Sequence, residues 1–192
     1  MDSLLQRIQF ENDETAFKEL YEQNVFKLFQ FAYAFIQSKQ LAEEIVNDVF
    51  LKLWQKRDSL DSIKNINVYL YVAVKNTAAN YRRRLASQKR IGHERFVVTH
   101  FYLSPDPEQV LITDELRKMI ESSIDRLPPK CKLIFKLVKE DGLSCTEVAE
   151  ILEISYKTVT TQLTIALKKL EQLLKPSLKP VYLKGRNRVS RD

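Results

Sequence analysis

Residues 144–170 read SCTEVAEILEISYKTVTTQLTIALKKL, and their spacing predicts a short helix, a tight turn and a longer helix, the helix-turn-helix arrangement. Ser144 can cap the first helix while Glu147, three residues on, reaches back to the Ser144 amide in a reciprocal capping box. Val148, Ala149, Ile151 and Leu152 then form an apolar stripe at helical spacing. A break falls at Glu153 and Ile154. Ser155 can cap the next helix, which buries Val159, Leu163, Ala166, Leu167 and Leu170. Its opposite face carries Lys157, Thr158, Thr160, Thr161, Thr164 and Lys168, small polar or basic groups suited to base edges and phosphates in a major groove. A solvated amphipathic helix would show the same face, so the rest of the chain decides between them.

The chain of 192 residues is 44% hydrophobic, enough for one large domain or two small ones. Three glycines, six prolines and dominant apolar periods of three and four predict an all-α protein. Cys131 and Cys145 lie within helical patterns and lack metal-ligand spacing, which suits packing in a reducing compartment. No apolar run approaches a membrane span and the N-terminus does not read as a signal peptide, so a cytoplasmic protein is expected. A net charge of +6 favours a polyanionic partner. Residues 1–85 hold twelve Lys and Arg against eleven Asp and Glu, and three of the twelve are Arg82, Arg83 and Arg84. The basic charge is therefore concentrated.

Residues 10–37 predict one helix with an aromatic core face of Phe17, Leu20, Tyr21, Val25, Leu28, Phe29, Ala32 and Phe35. Residues 41–55, LAEEIVNDVFLKLWQ, bury Ile45, Val49, Leu53 and Trp54. Glu43, Glu44, Asn47, Asp48, Phe50 and Leu51 cannot all face inward, which leaves either an exposed apolar patch ringed by acids, a docking signature, or an ordinary solvated face. Residues 56–67 read as a polar loop. Residues 68–84, VYLYVAVKNTAANYRRR, resume a helix with Leu70, Val74 and Ala78 on its core side, and mix aromatic, amide and basic groups elsewhere. Such a mixture suits a single nucleic-acid strand, although an arginine run also complements a helix end.

Residues 86–106, holding His93 and His100 without a ligand cluster and ending at Ser104-Pro105-Asp106, read as a flexible linker between two small helical domains, residues 1–85 and 107–175. The second domain begins a helix at Pro107 with Val110, Leu111, Leu116, Ile120 and Ile124 inside, stops at Leu127-Pro128-Pro129, and continues with a helix at residues 132–139. Residues 176–192 form a basic, disordered tail.

Taken in order, the segments 41–54, 68–84 and 127–170 resemble the extracytoplasmic-function (ECF) group of bacterial RNA polymerase sigma factors, in the sigma-70 family, over about residues 15–175. The resemblance implies a first domain that binds the clamp helices of the polymerase largest subunit, with Glu44, Asn47, Asp48, Phe50 and Leu51 as docking candidates. It implies that the loop at 56–67 and the following helix hold and unpair the -10 promoter element, with Asn65, Asn67, Tyr69, Asn76 and Asn80 on bases and Arg82, Arg83 and Arg84 on backbone. The second domain would read the -35 duplex through Ser155, Tyr156, Lys157, Thr158, Thr160, Thr161, Thr164 and Lys168, and meet the flap of the second subunit. Such proteins are typically held by an anti-sigma factor, often membrane-bound. They need no cofactor, metal or small-molecule substrate.

Two departures stand out. Glu153 occupies a turn position where the family often has glycine, and Thr160, Thr161 and Gln162 replace the acidic, amide and histidine residues common early in the recognition helix. An autonomous helix-turn-helix regulator with a sensing or dimerising N-terminal domain is the competing reading. An enzyme lacks support, since no phosphate-binding glycine loop, nucleophile elbow or paired metal motif is present.

Overall fold

Asp13 starts the first long helix. Its carboxylate accepts hydrogen bonds from the amides of Thr15 (2.8 Å) and Ala16 (3.0 Å), satisfying two N-terminal donors of the helix Glu14–Ile36. The other carboxylate oxygen is held by Arg7, through Nε at 2.9 Å and Nη2 at 2.6 Å. Asn12 just before it has a φ of 51°, the left-handed conformation that asparagine tolerates. The single helix expected over residues 10–37 is thus two: α1 (Ser3–Glu11) and α2 (Glu14–Ile36). Periodicity could not reveal this break, because both helices bury apolar residues across it.

The computed structural model describes the backbone of residues 3–88 and 114–184, with side chains over 4–85 and 117–175. His93, His100, Pro107, Val110 and Leu111 lie outside the described residues, as do residues 89–106 of the expected linker and residues 185–192; residues 86–88, expected in the linker, continue the last helix of the first domain. After α2 come α3 (Lys39–Gln55), a 3-10 turn (Arg57–Ser62), α4 (Ile66–Gln88), α5 (Asp114–Asp125), α6 (Pro129–Lys139), α7 (Cys145–Leu152) and α8 (Tyr156–Lys184). Every regular element among the described residues is helical, and none is long and apolar enough to cross a membrane.

Contacts divide the described chain into two compact units, one with α1 to α4 and Thr146–Ile154, the other with α5, α6 and α8. In the first unit α2, α3 and α4 pack on one another around Leu20, Leu28, Ile45, Leu53, Leu70 and Val74, all almost fully buried. Aromatic edges close the seam, with Phe31 meeting Tyr71 edge-on at 4.9 Å. Burial of each such side chain stabilises the unit by about 1.5–3 kcal/mol. In the second unit Ile124, Leu127, Cys131, Ala166 and Leu170 form the core, with Ile120 and Phe135 against it. Lys132, 6% exposed, pairs at 2.6 Å with Asp125 and so does not lie buried as an uncompensated charge.

Three expectations about the elements need correction. The polar loop at 56–67 contains the 3-10 turn, because Leu60 turns inward and is 1% exposed. Helix α6 starts at Pro129, not 132, since proline suits a first-turn position whose N–H has no partner in any case. Helix α8 runs to Lys184 through Pro176 and Pro180, where the break was expected. In a helix interior proline ordinarily removes a hydrogen bond and crowds the preceding turn, which is why no helix was expected there.

The Asp13 cap makes stability pH-dependent. The amide of Ala16 first, then Arg7, hold the Asp13 carboxyl below its ordinary value of 3.8. Its contribution is complete above that value and lost as pH falls through the lowered one. Circular-dichroism melts should show Asp13→Ala unfolding at a lower temperature than the parent at neutral pH, with the gap closing in acid.

Candidate nucleic-acid interface

Helix α4 can present a polar face because its other side is apolar. Ile66, Val68, Leu70, Tyr71, Val74 and Ala78 are buried. Asn67, Asn76, Asn80, Arg83 and Arg84 are exposed, and Tyr69 and Arg82 are half-buried. Tyr69, Asn76, Asn80 and Arg83 recur at helical spacing, so the structure gathers them on one side of the helix. Asn80 Oδ1 accepts from Arg83 Nη2 at 2.8 Å. Asn65 stands differently. Its Oδ1 accepts from the Val68 amide at 3.2 Å and caps α4, while its Nδ2 donates to Glu147 Oε1 at 2.6 Å within the same unit.

On α3 the residues expected to dock separate. Glu44, Asn47 and Leu51 are exposed and Asp48 is half-buried, at i, i+3, i+4 and i+7, one stripe of the helix. Leu51, 56% exposed, is the apolar member of this stripe. Phe50 does not join it. It is 3% exposed, edge-on to Phe17 at 6.0 Å and Tyr21 at 4.8 Å, on the stripe that contains Val46, Val49 and Leu53. The expectation that Phe50 sits on the docking surface is corrected accordingly: it supports that surface from below.

Tyr81 ties this stripe to α4, a link that the sequence pattern gave no reason to single out. Its hydroxyl donates to Glu44 Oε1 at 2.8 Å and lies 3.3 Å from Asp48 Oδ2. The Glu44 hydrogen bond first, then desolvation and the charge of Asp48, push the phenol up to about 12. Only the spatial return of α4 against α3 brings these groups together, so no local spacing could have found them. Tyr21 Oη similarly donates to Asn47 Oδ1 at 3.1 Å.

In α8 the expected cap is present. Ser155 Oγ accepts from the Thr158 amide at 3.0 Å and lies 2.8 Å from Thr158 Oγ1. Ser155, Tyr156, Lys157, Thr158, Thr161, Thr164 and Lys168 are exposed and Thr160 is half-buried. Thr160 Oγ1 donates to the Lys157 carbonyl at 3.0 Å, and Thr164 Oγ1 to the Thr160 carbonyl at 2.8 Å. Each hydroxyl has one proton, so these two threonines present acceptor lone pairs and methyl groups. Gln162, half-buried, accepts from Cys131 Sγ at 3.0 Å, and desolvation pushes that thiol up from its ordinary value. The two cysteines are free thiols.

Comparisons with known proteins match both parts of the chain to one family. The family model "Sigma-70 region 2" matches residues 20–88, which hold most of α2 and all of α3, the 3-10 turn and α4, and "Sigma-70, region 4" matches residues 117–170. The chain is similar to the ECF RNA polymerase sigma factor SigW of Bacillus subtilis (strain 168), 25% identical over 158 residues, 79% of this chain and 84% of SigW. It is also similar to the ECF RNA polymerase sigma-E factor of Escherichia coli (strain K12), 26% identical over 183 residues, 92% of this chain and 95% of that protein. Its fold resembles that of the sigma factor RpoE of Bartonella quintana, solved with the anti-sigma factor NepR, at a TM-score of 0.56 and 20% identity, covering 83% of this chain and 96% of that one.

The turn between α7 and α8 carries a testable strain. Glu153 has a φ of 55°, so the position where glycine was noted as usual is left-handed here. A side chain in that conformation costs about 1–2 kcal/mol. The Lys75–Glu153 ion pair at 2.8 Å offsets part of this cost, since Glu153 is 76% exposed but the Lys75 side chain only 13%. Glu153→Gly is therefore expected to raise stability by about 0.5–1 kcal/mol in urea melts, after allowing for glycine's greater unfolded entropy. An equal or lower midpoint would show that the turn is unstrained.

Proposed function

The chain belongs to the ECF group of the sigma-70 family, and from that membership we propose that it directs core RNA polymerase to particular promoters and helps open them. It performs no chemistry of its own and works in the cytoplasm, where polymerase and promoter DNA are found. The observation that carries this reading is the order of the two sigma-70 matches, region 2 on residues 20–88 and region 4 on residues 117–170. An isolated helix-turn-helix would account for the second alone.

The roles follow from the faces described. The stripe of Glu44, Asn47, Asp48 and Leu51 offers acids around one exposed leucine, chemistry that fits a basic, partly apolar surface such as the polymerase clamp helices. On α4, Asn76 and Asn80 can hydrogen-bond the edges of unpaired bases, Tyr69 can stack, and Arg83 and Arg84 can hold phosphates. Asn67 extends this set at the helix start. Asn65 serves it by capping α4 and gives up its carbonyl to do so. Because the strand face and the docking stripe are on packed neighbouring helices, core binding and strand capture would fall on one compact unit.

Helix α8 would enter the major groove of the -35 element with Ser155, Tyr156, Lys157 and Thr158 leading. Thr160 and Thr164, with their protons held by backbone carbonyls, suit thymine methyls or base amino groups. The relative from Bartonella quintana was solved with an anti-sigma factor, which supports an anti-sigma partner here as well.

Purified chain added to core polymerase on fragmented genomic DNA should start transcripts at a small set of sites sharing two spaced elements. Random starts, or tight duplex binding by the chain with no affinity for core, would refute the proposal. In the same assay Lys157→Ala should weaken promoter binding and reduce the salt slope by about one phosphate contact. Unchanged affinity and slope would remove Lys157 from the interface.

A further inference from the structure

The 3-10 turn that leads into α4 is pinned from outside the segment matched by region 2. Helix α1 and the α1–α2 junction precede residue 20, where that match begins. Gln9 Nε2 donates to the Asp58 carbonyl at 3.0 Å. Arg57 Nε donates to Asn12 Oδ1 at 2.6 Å, and Arg57 Nη1 to the Trp54 carbonyl at 3.0 Å. The same guanidinium stacks over the Trp54 ring, 4.8 Å from its centroid. Beneath these bonds Leu5, Ile8 and Leu60 are buried, and α1 packs directly on the turn.

We propose that α1 is a brace that positions the promoter-strand loop: Gln9 and Asn12 fix the 3-10 turn, and through it set where residues 63–67 stand at the head of α4. The inference rests on the functional reading above and adds to it residues that touch no DNA.

Three features carry it. The turn is interrupted by the non-helical dihedrals of Ser59 (φ -124°, ψ 25°), and its internal side-chain bonds, Ser59 Oγ to the Lys56 carbonyl and Ser62 Oγ to the Ser59 carbonyl, are local ones that tie it to no other segment. Its outer bonds therefore matter, and two of the three reach α1 or the junction after it. Arg57 is the hub, since one planar group reaches Asn12 and the last turn of α3 at once, locking the turn's entry to two elements. Only three residues separate the end of the turn from Ile66, the first residue of α4. A displaced turn would therefore move Asn65 and Asn67 directly.

Asn12 allows a clean test because its φ of 51° suits glycine and aspartate as well. Asn12→Gly deletes the acceptor without strain, and Asn12→Asp keeps it. Gln9→Leu removes the second bond and keeps bulk. Each protein is assembled as holoenzyme with core polymerase. The probe is a single-stranded oligonucleotide carrying the non-template -10 sequence of a promoter that the parent holoenzyme is found to use.

The Asn12→Gly, Gln9→Leu double variant should bind this strand about five- to tenfold more weakly, the loss expected for two hydrogen bonds. Its affinity for core and for the -35 duplex should stay unchanged, and Asn12→Asp should bind like the parent. Equal strand affinity in parent and double variant would overturn the brace. A fall in core, duplex and strand binding together with a lower melting temperature would also overturn it, since α1 would then serve stability alone. A parent protein that starts no transcripts with core would instead bring down the functional reading, and the brace's role with it.

Discussion

The burial of one side of α4, and of one side only, is the constraint on which the molecule depends. Leu70, Val74 and Ala78 are fully enclosed between α2 and α3, while Asn76 and Asn80, offset by a fraction of a turn, remain in solvent. A helix anchored this way keeps its polar side chains in fixed register. Several of them are already bonded: Asn65 caps the helix and reaches Glu147, Asn80 accepts from Arg83, and Tyr81 donates to Glu44. That arrangement suits the strand contact proposed for α4, with the cap at the head of the helix and Asn76 and Asn80 further along it.

The same packing joins the polar face of α4 to the exposed stripe of α3. Tyr81 leaves α4 to donate to Glu44 and sits beside Asp48, so two acids of the α3 stripe are oriented by the helix that carries Arg82 to Arg84. Phe50 fills the space beneath, edge-on to Phe17 and Tyr21. A partner surface that bears on Glu44, Asp48 and Leu51 would therefore press on a stiff support. In the second unit the polar face of α8 is set by backbone bonds of another kind, Ser155 as cap and two threonine hydroxyls turned back onto carbonyls.

Much of this was legible in the pattern of residues. Apolar periodicity located Ile45, Val49 and Leu53 in the core of α3 and Leu70, Val74 and Ala78 in that of α4, because a helix with one buried side imposes that spacing. Ser155 was readable as a cap, and Glu153 as the residue bearing the turn. What stayed hidden depends on contacts between distant segments. The break at Asn12 and Asp13 rests on Arg7, the 3-10 turn on Gln9 and Asn12, and Tyr81 on Glu44. Phe50 was misplaced because spacing identifies an apolar stripe but does not set its width, and here the aromatic side of α2 widens it. The end of α8 was misplaced because residues 176–192, with two prolines and no apolar period, were read as a disordered tail.

The central claim is that α4 handles an opened strand while α8 reads duplex, and footprinting separates the two. Holoenzyme carrying Asn76→Ala and Asn80→Ala should be compared with the parent on one promoter, as intact duplex and as a template already unpaired at the -10 element. The account predicts unchanged nuclease protection at the -35 element, reduced permanganate reactivity of -10 thymines on the duplex, and smaller loss on the unpaired template only if the asparagines act in melting itself. Parent-like permanganate reactivity on the duplex, or loss of -35 protection along with it, would contradict the assignment of α4 to the opened strand.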